Sequence, residues 1–284
     1  MSGQSDESRP AGILVGYDGS PCSDEALARA VREARGRRSV LTACQAWQQG
    51  DRAALMAAGA PDLARQGGER VLARGIRRAQ ALPGPGEIRP LLTAGPAAAA
   101  LCELSASAQL VVIGSRGLGG LPGLLLGSVS SQVAAHAAGR VVVVRGHWRG
   151  PGPGQQPVVV GSEGSAGSAA AVAFAFEAAA LRKTWLLAVC ALADAPGDLG
   201  GRDQIENHFG HLLSRAEKEH PEVAVRRNVT DSSARAALLT AAHDAQMLVV
   251  GARGLGGLRG MLLGSVSQVL LQHAPCPVGV AHPR

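Results

Sequence analysis

Arg116-Gly-Leu-Gly-Gly-Leu-Pro-Gly-Leu-Leu-Leu-Gly-Ser-Val-Ser130 returns later in the chain as Arg253-Gly-Leu-Gly-Gly-Leu-Arg-Gly-Met-Leu-Leu-Gly-Ser-Val-Ser267, with changes only at 122/259 and 124/261. Each copy follows a short apolar run, Leu110 to Ile113 and Met247 to Val250. The beginnings match too: Ile13-Leu-Val-Gly-Tyr-Asp-Gly-Ser20 against Val158-Val-Val-Gly-Ser-Glu-Gly-Ser165. Self-similarity on this scale marks a repeat. The 284 residues therefore read as two domains of about 140 residues, each large enough for its own core. The expected boundaries are a polar N-terminal segment at 1–10 and a first domain at 11–146. A Gly/Pro-rich linker at 147–157, within the run Gly146 to Pro157, precedes a second domain at 158–284.

Apolar runs and helical patterns alternate within each unit. In the first, strands are expected at Ile13–Tyr17, Val40–Trp47, Glu87–Thr93, Leu110–Ile113 and Val141–Val144. Helices are expected at Cys22–Arg35 (Ser20 or Ser23 as N-cap), within Asp62–Ala81, from Pro96 as first helical residue to Ala106, and at Ser128–Ala137. The second unit repeats this with strands at Val158–Ser162, Thr184–Leu192, Val223–Val229, Met247–Val250 and Val278–Ala281. Its helices fall at Ser168–Leu181, Asp203–Glu219, Ser233–His243 and Ser265–His273. Such alternation implies an α/β fold with a parallel sheet covered on both faces. These sheets bind ligands beyond the carboxyl ends of their strands, at a topological switch point. Asp18 ends the first strand and the glycine loop leaves the fourth, so both converge on one crevice if those strands are neighbours.

Composition removes several classes. Hydrophobic residues are 46% and charged residues 18%, a globular balance. Aromatics are 2%, too few for base-stacking platforms. The net charge of +6 is spread along an Arg-rich chain with two lysines, Lys183 and Lys218, so no nucleic-acid partner is expected. Its tightest cluster, Arg35, Arg37 and Arg38, falls at a helix end, where cations complement the dipole. No run reaches the roughly 18 apolar residues of a membrane helix; the Ala-rich stretch Ala169 to Leu181 carries Glu177. The segment Met1 to Pro10 has no apolar signal-peptide core. The five cysteines (Cys22, Cys44, Cys102, Cys190, Cys276) are odd in number and contain no Cys-x-x-Cys, so a reducing cytoplasm fits.

The chemistry sits in the doubled motif Gly114-x-x-Gly117, nine residues, Gly127-Ser128 and Gly251-x-x-Gly254, nine residues, Gly264-Ser265. Glycines permit positive φ and close backbone approach. The Gly-Ser pair starts a helix whose free N–H groups and dipole favour a phosphate. The serine hydroxyl either caps that helix or donates to a phosphate oxygen. No Walker lysine follows, and a strict Gly-x-Gly-x-x-Gly fails at Gly117-Leu-Gly-Gly-Leu-Pro122.

With these residues the chain, from Ile13 to His282, resembles the universal stress protein family in its tandem two-domain form. The resemblance implies two open five-stranded parallel sheets of order 3-2-1-4-5, Rossmann-like, and binding of ATP with Mg²⁺. In that family the aspartate lies near the ribose and metal, the loop lies on the phosphates, and β1, β2 and β4 residues surround adenosine. Carried over by position, the first-unit site is Gly16, Asp18, Ala46, Ile113, Gly114, Arg116, Gly117, Gly127, Ser128 and Val129. Asp18 acts on the metal through the nucleotide. The second-unit site is Gly161, Glu163, Ala191, Val250, Gly251, Arg253, Gly254, Gly264, Ser265 and Val266. Glu163 stands where Asp18 stands, one methylene longer. Gln109 and Gln246 stand where relatives often have Asp, and are read as structural. The resemblance also implies pairing of the last strands (Val141–Val144, Val278–Ala281) into an internal pseudo-dimer, and a homodimer.

Other residues have plainer readings. His208 and His211 share a helical face but lack a third ligand. His136 and His273 end equivalent helices, where a dipole role suffices. Cys44 and Cys190 lie on strands as small apolar residues. No Ser-His-Asp or Cys-His set is legible. The function expected is a cytoplasmic, nucleotide-dependent stress-response regulator with protein partners the sequence does not name. A nucleotide-independent interaction scaffold and a slow ATPase are the alternatives from other classes.

Overall fold

The computed structural model describes residues 12–48, 60–84, 86–119, 125–145, 156–163, 166–193, 202–254 and 262–283. The expected N-terminal segment at 1–10, most of the linker, and loop residues 120–124 and 255–261 lie outside them. The chain divides into two compact units, Met1–Gly146 and His147–Arg284.

The first unit runs β1 (Ile13–Gly16), α1 (Pro21–Arg37), β2 (Leu41–Trp47), α2 (Ala60–Gln80), β3 (Ile88–Ala94), α3 (Ala97–Ser105), β4 (Leu110–Gly114), α4 (Ser128–His136) and β5 (Arg140–Val144). Its strands are all parallel in the order β3-β2-β1-β4-β5. The second unit runs β6 (Val158–Gly161), α5 (Ala166–Arg182), β7 (Leu186–Ala191), α6 (Arg202–Glu219), β8 (Val225–Thr230), α7 (Ala234–Ala242), β9 (Met247–Gly251), α8 (Ser265–His273) and β10 (Val278–Ala281). Its parallel order is β8-β7-β6-β9-β10. The universal-stress-type α/β fold and strand order implied by the resemblance are thus present in each unit. Among the described residues no helix is long and apolar enough to cross a membrane.

The strands read as continuous apolar runs because both faces are covered. Ile13, Leu14 and Val15 in β1 and Val111 and Val112 in β4 are buried. α1 lays Ala26, Leu27, Ala30, Val31 and Ala34 on them, the stripe that helical periodicity requires. Small residues let the Ala-rich helices sit close, which is how a core with few aromatics reaches native density.

Helix starts differ in detail from the sequence reading. Ser20 is the α1 N-cap: its Oγ accepts from the Ser23 N–H at 3.2 Å. Pro21 then occupies the first helical position. Pro96 is not the first residue of α3 but its N-cap, with extended ψ of 126°. Gln246 donates from Nε2 to the Gln156 carbonyl at 2.9 Å, a structural bond.

Between β1 and its neighbours the connections leave in opposite directions, β2 lying on one side and β4 on the other. That divergence opens a crevice at the carboxyl ends of β1, β2 and β4.

Candidate functional site

The turn after β1 places Asp18 at the crevice. Its Oδ1 accepts the Ser20 N–H at 2.9 Å and its Oδ2 accepts the Leu118 N–H, from the glycine loop, at 3.0 Å. One carboxylate therefore ties the β1 turn to the loop after β4. Ser20 Oγ adds a second tie, donating to the Arg116 carbonyl at 3.3 Å. Gly19 takes φ +82°, a left-handed position that favours glycine, and its carbonyl accepts from Arg74 Nη2 at 2.7 Å.

The motif glycines work through proximity. None of Gly114, Gly117 and Gly127 has positive φ, so the conformational freedom expected of them is not what the fold uses. A methyl on Gly114 would sit 2.7 Å from the Cys22 carbonyl carbon, and one on Gly117 would overlap Asp18 Oδ2. β4 and its loop are pressed against the first turn of α1 and the Asp18 carboxylate.

The loop ends at α4. Gly127, not Ser128, is the N-cap, with φ −78° and ψ 160° and no side-chain cap bond. Its N–H donates to the Ser115 carbonyl at 2.8 Å, and Ser130 Oγ donates to the Gly114 carbonyl at 2.7 Å. Ser128 is the first helical residue and is exposed, so its hydroxyl does not cap the helix. The first-turn N–H groups of Ser128, Val129 and Ser130 thus receive no side-chain acceptor, and the positive end of α4 faces the crevice.

A cavity of about 860 Å³ fills the crevice, within the usual range for small-molecule sites. Every first-unit residue expected at the site lines it: Gly16, Asp18, Ala46, Ile113, Gly114, Arg116, Gly117, Gly127, Ser128 and Val129. Sequence reasoning missed the opposite wall, made by Trp47 and Gln48 of the β2 end and by Ala64, Gly67, Gly68 and Val71 of α2. Its only advance signal was Gly67-Gly68 inside a long helical pattern. Among the described lining residues, Asp18 is the carboxylate and Arg116, exposed, the cation. Cys44 lines the floor as a neutral thiol, its pKa pushed up to about 12 by burial. Tyr17 is buried with its OH donating to Asp24 Oδ1 at 2.8 Å. Burial and that carboxylate hold the phenol above its usual range. A methyl on Gly75 would lie 2.6 Å from the Tyr17 ring, so the tyrosine fixes α2 above the crevice.

The second unit repeats the frame. Gly264 is the α8 N-cap without a side-chain bond, Ser265 and Val266 open the helix, and the Gly264 N–H donates to Ala252 at 2.7 Å. Ser267 Oγ donates to the Gly251 carbonyl at 2.7 Å. Gly161 ends β6 against Leu238, Ala191 ends β7, and Val250 and Gly251 end β9, with Arg253 and Gly254 beyond. A methyl on Gly254 would lie 3.2 Å from Glu163 Oε1, whose backbone N–H donates to Ser168 Oγ at 3.0 Å. Among the described residues, no group of three or more His, Cys, Asp or Glu is placed to hold a metal.

A model of the universal stress protein family matches residues 12–145 and again 155–282. The chain belongs to the universal stress protein family. This universal stress protein is 35% identical over 291 residues to one from Mycolicibacterium smegmatis, covering 96% of this chain and 97% of that one. It is 34% identical over 284 residues to one from Mycobacterium tuberculosis, covering 95% and 96%. The crystal structure of a universal stress protein from Archaeoglobus fulgidus superposes with a TM-score of 0.76 at 18% identity, covering 97% of this chain and 99% of that one. That likeness shows the fold.

Proposed function

We propose that the first unit binds an adenine nucleotide, ATP with Mg²⁺, and that the protein is a nucleotide-dependent regulator in the stress response. The observation that carries the reading is the α4 N-terminus. Its first-turn N–H groups lack a side-chain cap and face a ligand-sized cavity lined by the glycine loop. Helix N-termini of this kind favour phosphate. The residues fit the group: Gly114 and Gly117 leave only backbone along the phosphate path, and Arg116 supplies a cation at the rim. Apolar Ala46, Val71 and Ile113 suit the flat face of a base. Bound Mg²⁺ would rest on the phosphates, as this ion usually does, with Asp18 as the nearest lining carboxylate. Hydrogen bonds to a charged group contribute about 1.5–3 kcal/mol each. Three or four contribute about 4.5–12 kcal/mol, and burial of the base against the apolar wall supplies the rest of what a micromolar site needs after the cost of association.

Occupancy is a switch because the same backbone groups that would hold phosphate also set the loop and the start of α4. Ligand at about 100 times its dissociation constant stabilises the fold by about 2.7 kcal/mol. Isothermal titration of the purified chain with Mg-ATP tests the reading. Micromolar binding is expected, and heat indistinguishable from dilution would leave the interaction-scaffold reading.

A further inference from the structure

The two units carry the same loop but differ in the helix that follows their second strand, α2 in the first and α6 in the second. Arg65 pairs with Glu69 at 3.0 Å on α2, and Arg202 pairs with Glu206 at 2.8 Å on α6, each four residues apart. Further along, Arg78-Ala79 answers Arg215-Ala216, with both alanines buried, and β3 and β8 begin in step at Ile88 and Val225. This register sets Gly67-Gly68 of α2 against Gln204-Ile205 of α6.

The glycine pair has two distinct jobs. A methyl on Gly68 would lie 3.0 Å from Leu92 Cδ1 and 3.4 Å from Trp47 Cβ, so glycine lets α2 settle directly on β2 and β3. A methyl on Gly67 would meet nothing within 4 Å, although Gly67 lines the cavity. Packing therefore gives no reason for glycine there, and a mid-helix glycine is destabilising. Gly67 is exposed and lines the cavity, so any side chain there adds bulk at the α2 edge of the site. Ile205 has no such economy of volume, and the principal neighbour of α6 is α5. Charge differs as well. Burial, then the negative charges of Glu163 and Glu206, push Cys190 at the end of β7 up to about 11. Glu163 and Glu206 both lie near enough to Cys190 to act on it.

We propose that Gly67-Gly68 makes the first unit the nucleotide-binding one, and that the second unit, with Gln204-Ile205 in their place and Glu163 for Asp18, leaves its own glycine loop unoccupied. The chain takes one nucleotide, and the second unit keeps the fold of a site without its ligand. The inference rests on the nucleotide reading above.

Saturation dialysis of the full chain with Mg-ATP, followed by photolabelling with an azidoadenine analogue of ATP and peptide mapping, tests it. One equivalent, with label only on first-unit peptides, is the expected result. Two equivalents, or label on second-unit peptides, would overturn the inference and leave the nucleotide reading standing. No bound equivalent would overturn the nucleotide reading, and this inference with it. The variant Gly67→Gln, which removes a helix-interior glycine, should melt at a higher temperature yet bind at least about tenfold more weakly. Gly68→Ile is the harsher companion variant, expected to lose binding. Unchanged affinity in Gly67→Gln would overturn the role given to the glycine pair.

Discussion

Replacing Gly117 by alanine tests the join between the loop and Asp18. Its backbone is not in the left-handed region, so alanine brings no conformational strain. The effect is steric and local: the new methyl overlaps Asp18 Oδ2, the atom that accepts the Leu118 N–H at 3.0 Å. To make room the carboxylate must turn away, and that bond is lost while Oδ1 keeps the Ser20 N–H at 2.9 Å. A hydrogen bond to a charged group contributes about 1.5–3 kcal/mol. If the loop must hold that geometry to receive phosphate, the loss appears in binding as about ten- to 150-fold weaker affinity for Mg-ATP. Titration calorimetry on wild type and Gly117→Ala gives the ratio, and circular dichroism checks that the fold is kept. Equal dissociation constants in a folded variant would refute both the site and the role of Asp18 as its tie.

Other outcomes follow from the same geometry. Ser130→Ala removes the 2.7 Å bond to the Gly114 carbonyl, and Ser267→Ala its twin to Gly251; each should lower unfolding free energy by about 1–3 kcal/mol in urea titrations. Tyr17→Phe keeps the ring over Gly75 but loses the bond to the Asp24 carboxylate, and should cost about 1.5–3 kcal/mol. Cys44, Cys190 and Cys276 are buried, so a thiol reagent at neutral pH should modify them only after unfolding, while half-buried Cys22 and Cys102 react first. Burial raises Cys44 and Cys190 from 9.0 to about 12 and about 11. The stability gained by keeping them as neutral thiols is fully present below pH 9 and is lost as pH rises toward those values. Denaturant midpoints should therefore fall from pH 9 upward, and less steeply in Cys44→Ala.

The frame was legible because its signals are local and doubled. Two copies of one loop, each after a four-residue apolar run, place the loop on β4 and β9, and the apolar runs supply the strands. What the sequence hid depends on backbone hydrogen bonds and on which face of a helix meets the sheet. Ser128 looks like a cap by residue type, yet the Gly127 N–H reaches the Ser115 carbonyl and draws the glycine into the cap position. Pro96 looks like a first helical residue, but its extended ψ keeps it one step outside α3. The α2 wall was invisible because amphipathic spacing announces a helix without saying that Ala64, Gly67, Gly68 and Val71 face the cavity. The sheet register that sets this, Gln45 beside Leu92 and Trp47 beside Ala94, is long-range.

Binding of an adenine nucleotide by the first unit, as proposed, is open to direct measurement. The most direct test is to dialyse the protein against saturating Mg-ATP, then denature it and quantify the bound nucleotide by chromatography. About one ATP per chain is expected, kept on Glu163→Ala and bound about ten- to 150-fold more weakly by Gly117→Ala. No released nucleotide, together with no thermal shift on adding Mg-ATP, would contradict it.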